Sequence, residues 1–226
     1  MFHITIMGTI KATIRHVKLI AKENAYNTDG IHIQSSSQVT ITDSDMETGD
    51  DCISIGPDVK TVRIENIDCG PGHGISIGSL GGEGTTTSEV EEIEIRNVRL
   101  TETLNGVRIK TWARAASSGF VKNVWVQDVT MDNVWNPILI DQRYCSKPDR
   151  QLCFPGEESG IMISNVTFVD IKGTSETAVG VKLDCSRAQP CQDIALNPAD
   201  VSLTYNGAPA KASCANVQCP IGFPRF

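Results

Sequence analysis

Three short strands recur at one spacing. GIHIQ at 30–34, CISIG at 52–56 and GISIG at 74–78 follow each other at intervals of 22 residues. A strand repeated at a fixed period marks identical turns stacked on one another, which leaves few other architectures open. The residue ahead of each copy is Asp29, Asp51 and His73 in turn. Stacked in register at ~4.8 Å per step, these three become consecutive rungs of one column, with Asp50 one position aside. Residues distant in the chain are thereby gathered into one acid–base group.

A second strand family precedes the first in each period. It reads IRHVKLI (14–20), VTITDSDM (39–46), VRIENIDC (62–69), IEIRNVRL (93–100), VWVQDVTM (124–131) and IMISNVTF (161–168), with IALNPADVSL (194–203) as a weaker copy. The first family continues as GVRIK (106–110), PILID (137–141) and GVKLD (180–184). Alternation of period two turns Ile31/Ile33, Ile53/Ile55, Ile75/Ile77, Val107/Ile109, Ile138/Ile140 and Val181/Leu183 inward. It leaves His32, Ser54, Ser76, Arg108, Leu139 and Lys182 outward. No segment has a helical period, and the gaps are too short for the helical crossovers of an α/β fold. The pattern predicts an all-β parallel β-helix forming a single domain over 1–226, with an irregular tail from about 205. Asn66, Asn97 and Asn165 fall at what read as corresponding corners, suited to an internal amide stack; Asn165-Val166-Thr167 is also a glycosylation sequon.

Eight cysteines fall in close pairs, predicting disulfides 52–69, 145–153, 185–191 and 214–219 and an oxidising compartment. Zinc would want tighter spacing and histidines nearby, and no histidine lies beyond His73. A net charge of −7 argues against a nucleic-acid groove, and no apolar run reaches the ~20 residues of a membrane span. The opening MFHITIM is strand-like rather than a leader, so the chain is expected to begin part-way into a longer secreted protein.

Asp50 and Asp51 are adjacent, so both can face one cleft only if the backbone bends, and Gly49 stands just ahead of them. Arg108 and Lys110, two apart on an outward strand, point the same way on the rung after His73, and Tyr144 follows on the next. Insertions at 79–92, 111–119 and 145–160 leave the same strand family's end and are placed to wall a cleft. An Asx-type corner is the bland alternative for the aspartate pair. A hard cation is another, which His73 fits poorly. His3, His16 and His32 read as structural or surface residues.

Asn27-Thr28-Asp29, Gly49-Asp50-Asp51, Gly72-His73-Gly74 and Arg108-Ile109-Lys110 resemble, in order and approximate spacing, the motifs of the polygalacturonase family of glycoside hydrolases. NTDGIHI, TGDDCISIGP, CGPGHGISIGSLG and NGVRIKTW look most like its plant exopolygalacturonase branch. The resemblance implies a right-handed parallel β-helix, lacking the family's first turns, that hydrolyses α-1,4 bonds of pectin with inversion. It implies Asp50 as general acid, Asp29 and Asp51 as the pair activating water, and His73 as support for the acid. Arg108 and Lys110 would bind galacturonate carboxylates, and Asn27 and Tyr144 would contact substrate. It implies a secreted cell-wall enzyme acting as a monomer on homogalacturonan, with no cofactor and no metal. A rhamnogalacturonan hydrolase, a calcium-dependent lyase and an inactive homologue are the alternatives. Inverting hydrolysis needs one protonated carboxyl and one carboxylate, so at least one of three crowded aspartates should hold its proton more tightly than usual.

Overall fold

The computed structural model describes residues 2–22, 24–82, 87–114, 118–145, 156–197, 199–220 and 224. Its first strands are β1 (Ile4–Met7), β2 (Ile10–Arg15), β3 (Lys18–Ile20), β4 (Ile31–Gln34), β5 (Ser37–Glu47) and β6 (Ile53–Ile55). Then come β7 (Val59–Cys69), β8 (Ile75–Leu80), β9 (Thr87–Thr101), β10 (Asn105–Trp112), β11 (Ser118–Val134) and β12 (Asn136–Tyr144). The chain continues with β13 (Ile161–Ser175), β14 (Val179–Asp184), β15 (Gln192–Leu196), β16 (Val201–Tyr205), β17 (Ala208–Pro209) and β18 (Lys211–Ala215). There is no helix among the described residues.

The two strand families form two sheets. The first orders as β1-β4-β6-β8-β10-β12-β14-β18. The second orders as β17-β16-β13-β11-β9-β7-β5-β2, with β3 beside β5 and β15 beside β13. All pairings are parallel except the β16–β17 hairpin. Each turn gives one strand to each sheet, the architecture of a parallel β-helix. The 22-residue repeat sets the register: Ile31 pairs with Ile53, and Ile53 with Ile75. Their side chains, with Ile33, Ile55, Ile77 and the inward Ile and Val of the second sheet, are buried between the sheets in one continuous core. β-Branched side chains suit this layer because their stiff χ1 costs little on a strand.

The second family's strands run long because they turn corners without breaking the ladder. Each corner residue adopts positive φ, as Asp43 (52°), Asn66 (57°), Asn97 (48°), Asp128 (54°) and Asp170 (54°) do in one column. Asn66 donates its amide to Asp43 at 2.8 Å, and Asn97 donates to Asn66 at 2.7 Å. Asn and Asp tolerate this left-handed conformation better than other non-glycine residues. These amides are exposed, not internal as expected. Asn165 also departs from expectation. It lies in a second column of positive-φ corners, where its amide donates to Asn123 at 2.7 Å. The strand pattern also outlasts the expected end at 205, because β18 pairs with β14 and extends the first sheet to residue 215. Disulfides Cys52–Cys69, Cys185–Cys191 and Cys214–Cys219 are present as predicted. Cys145 is disulfide-bonded, and its expected partner Cys153 lies outside the described residues.

Candidate active site

The acids sit on the corners that feed β4 and β6. Thr28 ties these corners together: its hydroxyl donates to the Ala25 carbonyl at 2.6 Å and accepts from the Gly49 amide at 3.0 Å. A Cβ at Gly49 would lie 2.3 Å from the Ala25 carbonyl oxygen, so any larger residue would push the two corners apart. Gly49 thus serves close approach as well as the bend. Beyond it, the Asp51 amide donates to Asp50 Oδ1 at 2.9 Å. This Asx-type contact holds the bend, and both carboxylates line one cleft of about 340 Å³. The bland and functional readings of the aspartate pair are therefore compatible.

Asp29, Asp51, Ser54, Lys110, Tyr144 and Asn27 line the same cleft. The backbones of the three rungs stack as the repeat predicts, with Gly30 N–H on the Asp51 carbonyl at 3.0 Å and Cys52 N–H on the Gly74 carbonyl at 2.8 Å. The His73 ring breaks the expected column. Its Nδ1 lies 3.1 Å from Asp50 Oδ1, so it partners the acid one position aside from Asp51. Arg108 and Lys110 converge on Asp51 instead of facing open solvent. Arg108 Nη2 donates to Asp51 Oδ1 and Lys110 Nζ to Asp51 Oδ2, each at 3.1 Å. Lys110 also lies 5.4 Å from the centre of the Tyr144 ring, which meets Trp112 edge-on at 5.1 Å.

Three contributors escaped the sequence reading. Ser54 donates to Asp29 Oδ2 at 2.6 Å, and Ser76 donates to Asp51 Oδ1 at 2.7 Å. His32, read as structural or surface, lines the cleft with Nδ1 2.8 Å from Ser54 Oγ and its ring stacked on Phe2 at 4.6 Å. The signal was available: the outward row His32–Ser54–Ser76–Arg108 is continuous in register. Its meaning depends on the acidic corners folding over that row, which periodicity does not reveal.

The aspartates differ in surroundings. Asp29 and Asp51 are 6% and 1% exposed. Burial raises the Asp29 carboxyl above its usual value, aided by the charges of Asp51 and Asp50 and opposed by the Ser54 hydroxyl and His32. Burial also pushes Asp50 upward. There the His73 hydrogen bond and charge, the Asp51 amide and Lys110 outweigh it and hold the carboxyl below the usual value. Burial raises the Tyr144 phenol, which keeps it neutral and able to donate. Asp50, Asp51 and His73 bring one potential ligand atom each within 4.8 Å of one another. They fit a metal poorly, because both Asp51 oxygens already accept from cations.

A larger hollow of about 860 Å³ lies on the outer face of the second sheet, beside Arg63, Glu94 and Trp125. Its charges are exposed and paired along the surface, as Arg63–Glu65 and Arg96–Glu94 are, so it lacks a desolvated acid. The buried carboxylates line the smaller cleft.

Residues 1–222 match the sequence model of glycosyl hydrolases family 28. The chain belongs to that family. It is 50% identical over 216 residues to a polygalacturonase of Prunus persica and 45% identical over 219 residues to an exopolygalacturonase of Oenothera organensis. Each alignment covers 96% of the chain but only 53% and 59% of the relative, so the chain spans about half the length of the curated relatives it matches. Endopolygalacturonase I from Stereum purpureum, solved with two galacturonates, superposes with a TM-score of 0.67 at 25% identity, over 96% of this chain and 62% of that one. The acidic cleft on the outer face of the first sheet holds all three aspartates of the motifs that resemble this family.

Proposed function

We propose that this chain hydrolyses the α-1,4-galacturonosyl bonds of homogalacturonan with inversion, acting from chain ends. One observation carries the reading: three aspartates share a cleft, and the half-buried Arg108 and the buried Lys110 bracket one of them, Asp51. Carboxyls supply the acid and base of glycoside hydrolysis, and the cations make the cleft tolerable to a polyanion. The galacturonates bound by the Stereum purpureum relative and the name of the Oenothera organensis relative support the substrate and the exo mode.

Asp50 is the general acid. It leans toward His73 on the following rung, whereas Asp29 sits on the preceding one. One oxygen of Asp50 lies within 4.8 Å of one of Asp51, closer than the ~6.5 Å or more that inverting pairs keep for a water. Water activation therefore falls first on Asp29, whose Oδ1 has no hydrogen-bond partner among the described residues, with Asp51 beside it. In the free chain the carboxyls are ordered against their roles, the acid lowered and the base raised. Substrate corrects this order. A uronate that engages Lys110 and covers Asp50 from water weakens one lowering influence and strengthens the burial that already favours the proton. Arg108, Lys110, Tyr144 and Asn27 hold the substrate, and His73 steadies the acid. The enzyme acts as a monomer in the cell wall, a setting in which the three observed disulfides persist.

Reducing-end release from polygalacturonate, with the products sized from the earliest times, tests the reading. The expected result is monogalacturonate from the onset and a fall in kcat of ~10²–10⁴ in Asp50→Asn. A spread of oligomers would overturn the exo mode, and unimpaired Asp50→Asn would overturn the assignment of the acid.

A further inference from the structure

Asp51 and Asp29 are held by the same device, built twice on neighbouring rungs. At Asp51, Arg108 Nε donates to Ser76 Oγ at 3.1 Å, and Ser76 donates onward to Asp51 Oδ1 at 2.7 Å. At Asp29, His32 Nδ1 lies 2.8 Å from Ser54 Oγ, and Ser54 donates onward to Asp29 Oδ2 at 2.6 Å. The four outer members are register neighbours in a single row, with Arg108 at one end and His32 at the other. A serine hydroxyl has one proton to give. Ser54 gives it to Asp29, so His32 must donate through Nδ1, as Arg108 does through Nε.

We propose that His32, acting through Ser54, is a positioning residue that holds Asp29 in place as the water-activating carboxylate. His32 is suited to this. Phe2 stacks on one face of its ring at 4.6 Å, and Nε2 lies 3.4 Å from Gln34 Oε1, so the imidazole is oriented from two sides. Ser54 is buried, which makes its 2.6 Å bond to a carboxylate strong and directional. Among the described residues Asp29 has no lysine or arginine partner, since Arg108 and Lys110 both bond Asp51. Among the described residues, the charged and titratable groups around Asp29 are the Asp50 and Asp51 carboxylates, the His32 ring, and the His3 ring, whose Nδ1 lies 3.1 Å from the Asp29 carbonyl. Of these, His32 alone favours the ionised carboxylate, in keeping with its opposing effect on the raised Asp29 proton affinity.

The two relays differ in one respect. A guanidinium stays charged at every working pH, whereas an imidazole does not. The inference rests on the proposed glycosidase reading, so its test includes a readout independent of activity.

In the intact chain labelled with ¹³C at aspartate carboxyls, the Asp29 signal is assigned by its loss in Asp29→Asn and titrated in wild type and His32→Asn. Asparagine keeps a donor near Nδ1 and removes the charge. The expected result is an Asp29 midpoint at higher pH in His32→Asn, with no other aspartate moving as far. An unmoved midpoint overturns the proposal whether or not the chain is an enzyme. On polygalacturonate, His32→Ala and Ser54→Ala should each lose on the order of tenfold to a hundredfold in kcat at nearly constant KM, the cost of misplacing a reacting group. Their double variant should be no worse than the poorer single, and His32→Asn should recover most of the loss. Additive losses, or a change confined to KM, would make His32 a substrate contact instead and overturn the relay. A wild type without activity, combined with the shifted Asp29 midpoint, would remove the enzymatic reading and leave the relay standing.

Discussion

Glu91 and Asp51, on the outer faces of opposite sheets, are each a carboxylate set between two cations. On the second sheet, Glu91 lies 2.7 Å from Lys60 and 3.1 Å from Lys122. On the first sheet, Asp51 lies 3.1 Å from both Arg108 and Lys110. The geometry is nearly the same, but the Glu91 side chain is 20% exposed with cations further out in solvent, whereas the Asp51 side chain is 2% exposed. Water screens the first arrangement, and such pairs contribute about 0–1 kcal/mol. The second has little water to fall back on, so removing one member strands the others. The inner faces of the two sheets are equivalent layers of Ile and Val. What separates a surface ladder from a desolvated acidic cleft here is a pair of corners folded over one outer face.

The largest expected effect comes from Asp51→Asn. It keeps the shape but leaves the buried Lys110 and the half-buried Arg108 without their anion. Chemical denaturation should show a loss of about 3 kcal/mol, and kcat should fall by ~10²–10⁴. Arg108→Ala and Lys110→Ala should likewise lower kcat as well as raise KM, because both cations hold Asp51. A pure KM effect would show that they serve the substrate alone.

Asp29→Asn should cost a similar share of activity and move stability the other way. Its folded carboxyl is raised above 3.8. The stability contributed by that raised proton affinity is fully present below 3.8 and is lost as pH rises through the folded value. At neutral pH the ionised, buried Asp29 opposes folding, and asparagine still accepts from Ser54. The Tm of Asp29→Asn should exceed that of wild type at pH 7 and converge with it toward pH 3. A lower Tm at pH 7 would mean that the Asp29 charge is as well compensated as that of Asp51.

A smaller effect is expected in pH–rate profiles. Both profiles should be bell-shaped, since both limbs come from one carboxyl cluster. The limbs of kcat and kcat/KM should differ, because the free carboxyls are ordered against their roles, Asp50 lowered and Asp29 raised, and bound substrate raises Asp50 to restore the working order. Coincident limbs would contradict the proposed reordering of acid and base. The smallest effect belongs to the control face: Glu91→Gln should leave kcat unchanged and Tm within about a degree.

Much of this was legible in the sequence because the fold is periodic. Equal spacing of GIHIQ, CISIG and GISIG fixes the register, and register alone brings Asp29 near Asp51. The Cys52–Cys69 bridge follows from the same stacking. What escaped was the direction of side chains at corners, where period two no longer applies. His73 turns to Asp50, and Arg108 and Lys110 turn to Asp51. Ser54 and Ser76 occupy outward positions that the acidic corners bury, so outward did not mean solvated. Asn165 was grouped with Asn66 because two corner columns share one residue type. The expected cleft walls are seen in part, at Gly78, Ser79 and Tyr144; residues 83–86, 115–117 and 146–155 lie outside the described residues.

The central claim is that Asp50 delivers a proton while a water, activated opposite it, attacks the sugar carbon directly. The most direct test is ¹H NMR of galacturonate released from polygalacturonate during the first turnovers, before mutarotation. Direct attack on an α-linked sugar predicts the β-anomer first. The α-anomer first would mean a covalent glycosyl intermediate, and it would contradict both the inversion and the roles assigned to Asp50 and Asp29.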